Sequence, residues 1–249
     1  LYNTQSLNKR EDYKYLKINL ESAGSLLSLY SMLINKPKVQ EVDDVTKRTT
    51  SYYEILRTRF AQYLKGDFEY RYGHIIDKSS SVVGRAFFGI GVPFGNFNVL
   101  PFEKKYFTGG ANGIRAWQVR SLGPGSYKVP ADIYPNQSSD IKLEANLEYR
   151  FKLFWRMEGA FFTDAGNIWA INYKDNRDGA VFLFDRFYKQ IAVGSGFGLR
   201  FDFTYFLFRL DLGMKMRDPS LPERKRFIPV NYPINADHFN LSFAIGYPF

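Results

Sequence analysis

The sequence predicts an all-β fold: a transmembrane antiparallel β-barrel, with about eight strands in these 249 residues. Three observations support this prediction: strand-length segments of alternating apolar and polar residues, connections that are alternately short and long, and charges confined to one face of the segments. The composition agrees, because 45% hydrophobic and 24% charged residues can form a core, and aromatic residues reach 18%.

Eight segments alternate, most of them roughly 9–13 residues long, a length that crosses a bilayer when the strand is tilted. The clearest is Ile141–Phe151, in which every odd position is apolar and every even position is polar. In chain order, the eight predicted strands are Leu16–Gly24, Phe60–Tyr72, Val82–Val92, Ile141–Phe151, Trp155–Asp164, Ile191–Phe203, Phe206–Arg217 and Phe239–Phe249.

The connections between these segments alternate strictly in length. The long ones cover about residues 27–55, 96–140, 170–189 and 218–238, and the short ones 74–80, 152–154 and 203–205. Outer-membrane barrels have this arrangement, with tight periplasmic turns and long outer loops. A soluble β-sandwich gives no reason to segregate its connections in this way.

The charged residues fix which face of each strand meets lipid. If Lys142 or Arg150 faced lipid near the midplane, each would cost about 2–4 kcal/mol, and Glu144 and Glu148 would cost less. The polar face is therefore predicted to line the interior. Aromatic residues at the short-turn ends are predicted to form an interfacial girdle: Trp155, Phe203, Tyr205, Tyr247 and Phe249.

Composition argues against most enzyme classes. There is no cysteine and there are two histidines, His74 and His238, so thiolate chemistry, disulfides and histidine-built metal sites are not expected. We expect no catalytic residue, no cofactor and no metal. The chain contains no run of about 18 apolar residues. It opens on Leu1 without a cationic, apolar leader, so we expect a mature form or, preferably, a fragment.

Two further patterns have ordinary explanations. The glycines of Gly194–Gly198 lie on one strand face without the spacing of a phosphate loop, so close approach of another segment, such as an inserted loop, is favoured. The net charge of +9 does not predict nucleic-acid binding, because no nucleic-acid-binding fold is visible. The cations of Arg224–Arg226 are expected to be solvated or to face lipopolysaccharide phosphates.

Connection 95–140 contains dense turn chemistry, including Gly109 and Gly110, and a long loop of this kind is usually functional. Three stretches carry a family resemblance: Ile114-Arg115-Ala116-Trp117, the segment Phe162–Trp169 with Asp164 and Gly166, and the terminal strand with Gly246 and Phe249. They resemble the BamA/TamA-type outer-membrane-protein assembly superfamily, also called the bacterial surface antigen family. Gly109–Trp117 and the Tyr247-Pro248-Phe249 ending look most like translocation-and-assembly lipoproteins of Bacteroidota.

The resemblance implies that residues 1–249 are the carboxy-terminal part of a transmembrane barrel of about sixteen strands, with 95–140 as an inserted outer loop and no POTRA domain present. It also implies a loop lock, in which Arg115 is held by Glu148 and Asp164, both on the polar faces of their strands. Ala116 stands where the family has glycine; if that glycine has a positive φ, alanine would strain the turn by about 1 kcal/mol or more.

The implied function is insertion or assembly of outer-membrane proteins, or translocation of proteins, in the Gram-negative outer membrane and without catalysis. We expect the barrel seam to involve the last strand, including Phe239, Phe243 and Pro248, and to open for client strands. Expected partners are lipid and lipopolysaccharide, client β-barrel proteins, and periplasmic or inner-membrane assembly partners. Two alternatives stay open: a two-partner-secretion-type export pore, and a passive structural barrel.

Overall fold

The structure of the protein is a computed structural model that describes residues 1–5, 11–42, 49–130, 136–172, 175–203 and 205–249. Within these ranges the main element is an antiparallel sheet in which consecutive long strands are hydrogen-bonded neighbours. In sheet order, its strands are β1 (Tyr2–Asn3), β2 (Tyr13–Ala23), β7 (Tyr63–Ile75), β8 (Ser80–Pro93), β9 (Ile141–Lys152), β10 (Met157–Trp169), β11 (Ala192–Asp202), β12 (Leu207–Arg217) and β13 (Phe239–Ile245). The predicted all-β antiparallel fold is confirmed.

Each of the eight predicted segments corresponds to one long strand; most ends agree to within about three residues, and two ends differ by more. Strand β10 extends to Trp169, five residues beyond Asp164, because its pairing with β9 continues to Ile141. The prediction that the last strand reaches Phe249 is wrong. Strand β13 ends at Ile245, since Gly246 has φ 84° and turns the chain out of the sheet.

The connections contain local structure that period-two patterning does not detect. The first long connection includes helix α1 (Ser25–Leu33) and two small hairpins. These hairpins pair β3 (Val39–Val42) with β4 (Thr49–Tyr52) and β5 (Glu54–Ile55) with β6 (Thr58–Arg59). Short 3-10 helices lie at Phe102–Lys104, Phe187–Gln190, Glu223–Lys225 and Ala236–His238. Parts of three long connections and of the short one at 203–205 lie outside the described residues, at 43–48, 131–135, 173–174 and 204.

The sheet has one apolar exposed face and one charged buried face. Large apolar side chains are exposed on successive strands, including Leu20, Leu64, Phe88, Leu147, Phe161, Leu212 and Phe243. Charged side chains on the other face are at most 1% exposed: Glu144, Glu148, Asp164, Arg200, Arg209 and Asp211. A water-soluble sheet has the opposite polarity, whereas a barrel wall in lipid has this one. Among the described residues, no helix is both long enough and apolar enough to span a membrane.

The inner face of the sheet is covered by the inserted connection between β8 and β9. Its residues Ile114, Ala116, Trp117 and Leu122 pack with Ala192 of β11 as a buried apolar cluster. The connection therefore forms the core of the described half-barrel rather than a solvated loop.

The aromatic residues of the predicted girdle divide into two groups. Trp155, Phe203 and Tyr205 are exposed in the short turns. For Tyr247 and Phe249 the prediction is wrong: the Tyr247 hydroxyl donates to Glu158 of β10 at 2.7 Å, and Phe249 is 8% exposed. Both side chains are on the inner side because the chain turns at Gly246.

Candidate functional site

The tip of the inserted connection is a tight backbone turn around residues 109–117. Gly109 and Gly110 have φ of 89° and 82°, values that L side chains rarely adopt. The Gly110 N–H donates to the Trp117 carbonyl at 2.7 Å, and the Trp117 N–H donates to the Ile114 carbonyl at 3.1 Å. These bonds fix the Arg115 backbone at the apex of the turn.

Arg115 is fully buried and contacts both acids that the sequence assigned to it. Its Nε and Nη2 donate to the two oxygens of Asp164 at 2.8 and 2.9 Å, a bidentate pair, and its backbone N–H donates to Asp164 at 3.0 Å. Its Nη1 donates to Glu148. The guanidinium also stacks 3.6 Å from the centre of the Phe162 ring. This set of contacts is the loop lock.

Two asparagines that the sequence did not single out connect the lock to the wall. The Asn146 Nδ2 of β9 donates to Asp164 at 2.9 Å and to the Gly113 carbonyl at 3.0 Å. The Asn240 Nδ2 of β13 donates to the Arg115 carbonyl at 2.8 Å. Through Asn240, the lock is hydrogen-bonded directly to the last strand.

The ionic network continues beyond the predicted lock. Glu148 also accepts from Arg150 at 2.7 Å and lies 3.0 Å from Arg200. Arg200 and Arg209, which face each other across β11 and β12, lie 2.9 and 3.0 Å from Asp211. Their N–H groups are not aligned with those oxygens, so these contacts are ionic rather than hydrogen-bonded.

Arg209 extends this network to the loop tip. Its Nη2 donates to the Ala111 carbonyl and to Asn112 Oδ1, both at 2.8 Å. The sequence analysis did not assign Arg200, Arg209 or Asp211 to the site. In the sequence, these residues are recognisable only as occupying the inward-facing positions of their strands. Which of the inward charges contact each other depends on the strand register and on the position of the loop tip.

Glycines in the wall permit the loop to approach. A Cβ at Gly213 would lie 2.8–2.9 Å from Ala116 backbone atoms, and one at Gly194 would lie 2.5 Å from the Ala116 Cβ. The expected approach of the inserted loop to Gly194 is therefore observed. Among the described residues of connection 95–140, those with positive φ are Gly95, Gly109, Gly110, Arg120, Gly123 and Gly125. Ala116 is not one of them, so the expected strain at Ala116 is absent.

The other predicted site residues lie in the wall or in the tail. Gly166 of β10 has φ 155°, and a Cβ there would lie 2.1 Å from the Leu143 carbonyl oxygen. Phe239 and Phe243 are 42% and 63% exposed on the apolar face of β13. Tyr247, Pro248 and Phe249 follow Gly246 inward, outside the strand.

The tail is held at the inner side by both charge and aromatic contact. The Arg150 guanidinium lies 4.3 Å from the centre of the Tyr247 ring and 5.9 Å from that of Phe249. Burial and the neighbouring Glu158 carboxylate raise the pKa of the Tyr247 phenol, so it remains a protonated donor. The arrangement as a whole can fix a loop and a chain end inside a curved sheet.

Comparison with known proteins gives matches to a family model and to solved structures. The family model described as the Omp85 superfamily domain matches residues 48–249. The crystal structure of BamA from Haemophilus ducreyi lacking POTRA domains 1–3 matches with 14% identity and a TM-score of 0.50, covering 94% of this chain and 50% of that chain. The present chain thus spans about half of that relative's length, and at this identity the likeness shows the fold alone. No curated protein matches the sequence.

Proposed function

Because the chain belongs to the Omp85 superfamily, we propose that it acts in the assembly, insertion or translocation of proteins at the Gram-negative outer membrane. The resemblance to BamA/TamA-type proteins is confirmed at this level, and the closer likeness to Bacteroidota lipoproteins stays a prediction. Within this general function we favour insertion of client β-barrel proteins, by opening of a seam at β13 and pairing with client strands, without covalent chemistry.

The observation that carries the mechanism is the shortness of β13. It has seven residues, from Phe239 to Ile245, whereas β12 and the other long strands have 11–14. A strand of seven residues limits the number of backbone hydrogen bonds that can close the barrel on its far side. A seam with few bonds opens at lower cost than a pairing between two of the strands of 11–14 residues.

Gly246 ends that strand and removes the tail from the seam. Because φ at Gly246 is 84°, the chain turns inward instead of extending the strand ladder. Tyr247 then donates to Glu158, and the Phe249 ring lies 5.9 Å from the Arg150 guanidinium. The edge of β13 facing away from β12 has no partner strand within the described residues. Such an edge can accept an incoming strand by β-augmentation.

The loop lock supplies the fixed part of the mechanism. Arg115 joins β9 and β10 through Glu148 and Asp164, and its carbonyl accepts from Asn240 of β13. While the lock is closed, the wall keeps its curvature although the seam has few bonds. We propose that the lock limits how far β13 moves when a client strand pairs with it.

A disulfide across the seam tests this proposal, and residues 1–249 contain no native cysteine that could compete for pairing. One cysteine replaces Leu241 of β13 and the other is placed opposite it in the first strand of the complete barrel. Oxidised protein in proteoliposomes should lose assembly of a client barrel, measured by the client's heat-resistant migration on gels, and reduction should restore it.

A matched control ties β13 to a strand from which it need not separate. Leu241 and Leu212 are direct cross-strand partners, so the pair Leu241→Cys and Leu212→Cys can form a disulfide within β12–β13. This oxidised control should retain client assembly. Full assembly by the seam-tied protein would exclude lateral opening while leaving superfamily membership intact.

We further propose that residues 1–249 are the carboxy-terminal part of the barrel domain, with the loop 95–140 inserted and POTRA domains elsewhere in the complete protein. The open sheet, with β1 and β13 at its edges, supports this arrangement over a passive barrel closed by these residues alone. Lipid, lipopolysaccharide and periplasmic or inner-membrane subunits remain the proposed partners. An export pore would require the inserted loop to leave the inner face, which the buried network around Arg115 opposes.

A further inference from the structure

Helix α1 has its polar and apolar faces reversed with respect to a helix on a water-soluble protein. Ser25, Ser28 and Ser31 recur every third residue and form the less exposed stripe, with Ser31 at 0% exposure. The large apolar side chains face away from the protein; their exposures are Leu26 81%, Leu29 52%, Tyr30 57%, Met32 60% and Leu33 73%. The helix contains no charged residue.

The helix begins on the side of the sheet that carries the lipid-facing residues. Gly24, with φ 72°, links it directly to β2. The Ser25 hydroxyl lies 3.0 Å from that of Ser22, whose position shares the outward parity of Ile18 and Leu20 in β2. These two residues are 57% and 81% exposed, so the apolar surface of β2 continues into the apolar surface of α1.

We infer that α1 is a membrane-surface helix whose apolar face is buried in the outer leaflet, beside the lipid-facing wall of β2 and β7. Small residues commonly form the protein-contacting side of helices in lipid, while large apolar residues meet the acyl chains. Nine residues give a length of about 14 Å, too short to cross a hydrocarbon core of about 30 Å, so the helix lies at the interface.

Charges next to the helix fit the headgroup layer. Lys36 and Lys38 lie on either side of Pro37, shortly after the helix ends at Leu33. Their ammonium groups can reach lipid phosphates while the preceding residues remain in hydrocarbon. The Lys38 ammonium also lies 5.2 Å from the centre of the Tyr53 ring. The membrane-facing segment is therefore α1 followed by a basic end.

Single-cysteine labelling of the complete protein tests this inference. Leu29→Cys and Leu33→Cys are labelled with an environment-sensitive fluorophore, and the protein is placed in phosphatidylcholine vesicles containing phosphatidylcholine with a doxyl quencher close to the headgroup. Leu20→Cys serves as the lipid-facing control. Leu56→Cys serves as the aqueous control, because Leu56 is an apolar residue 92% exposed in the turn between β5 and β6.

Labels at Leu29 and Leu33 should be quenched by the doxyl lipid to an extent comparable with the label at Leu20, and the label at Leu56 should not. Aqueous iodide should give the reverse order. Iodide quenching at Leu29 and Leu33 equal to that at Leu56 would overturn the inference by showing a helix in water. Protection from both quenchers would overturn it by showing that protein covers the helix. Heat-modifiable gel migration verifies that each variant is folded.

Discussion

The loop lock gives the sharpest quantitative prediction, through the substitution Asp164→Asn. Asp164 is fully buried and accepts four hydrogen bonds, three from Arg115 and one from Asn146. Asparagine preserves the size of the side chain but removes the charge. It also places an amide donor against the donors of Arg115. The guanidinium therefore loses one of its two carboxylate partners without a cavity being created.

The expected cost follows from the burial of the pair. Removing one partner of a buried ion pair typically costs about 3–5 kcal/mol. Arg115 keeps its contact with Glu148, and the asparagine still provides one oxygen, so we expect the lower end, about 3 kcal/mol. At about 1.4 kcal/mol for each factor of ten, the docked loop should be destabilised roughly a hundredfold relative to the undocked loop.

Hydrogen–deuterium exchange of the membrane-embedded protein measures this equilibrium. The Arg115 N–H donates to Asp164 and is hydrogen-bonded only while the loop tip is docked. Its exchange, followed in peptides from residues 106–120, should therefore be roughly a hundredfold faster in Asp164→Asn. Peptides from β7 and β8, which do not contact Asp164, should be unchanged.

The matched control makes the same chemical change at the surface. Asp185 lies 3.3 Å from Arg186, and the two side chains are 70% and 66% exposed. Asp185→Asn should therefore leave the exchange rates of residues 106–120 unchanged, since an exposed ion pair contributes about 0–1 kcal/mol. Equal exchange in the two variants would refute the claim that the buried pair holds the loop.

Two further predictions concern the wall and a turn. Gly213→Ala should displace the loop tip from β12 and accelerate exchange in residues 106–120, because the added Cβ would lie 2.8–2.9 Å from Ala116 backbone atoms. In the control Gly84→Ala the nearest atom to the added Cβ is 4.0 Å away, so exchange should not change. Equal effects of the two substitutions would contradict this account. In the turn after β7, hydrogen bonds from Ser79 and Ser80 lower the pKa of Asp77 from 3.8 to about 2. Because the folded-state pKa is lowered, the stabilisation is present above about pH 4 and lost as the pH falls through about 2. The difference in thermal unfolding temperature between the native protein and Asp77→Asn should disappear as the pH falls from about 4 to about 2. A difference that persists below about pH 2 would contradict the lowered pKa of Asp77.

The strands could be predicted because the alternation of apolar and polar residues is contained within each strand. In Ile141–Phe151 the period of two separates residues in lipid from residues in the interior, and no distant contact is needed to recognise it. Helix α1 was missed for the converse reason. Its serine stripe has a period of three and its apolar face meets lipid, so neither strand alternation nor the usual amphipathic pattern describes it.

The lock was predicted from resemblance and parity, and the structure places Arg115, Glu148 and Asp164 in contact. The rest of the network was not foreseen. Arg200 and Arg209 have the same inward parity as Glu148, yet their shared contacts depend on the register of β11 with β12 and on where the loop tip lies. Register is a property of strand pairs, which a single strand does not specify.

The sequence by itself determined which side of each strand is apolar and therefore which solvent each side meets, because that information repeats every second residue. The tertiary structure alone decided which buried charges meet and where the chain end lies. Arg115 is 33 and 49 residues from its two acids, and Tyr247 is 89 residues from Glu158. Such contacts form only when separate strands and the inserted loop occupy the same volume, and burial then requires each charge to have a partner.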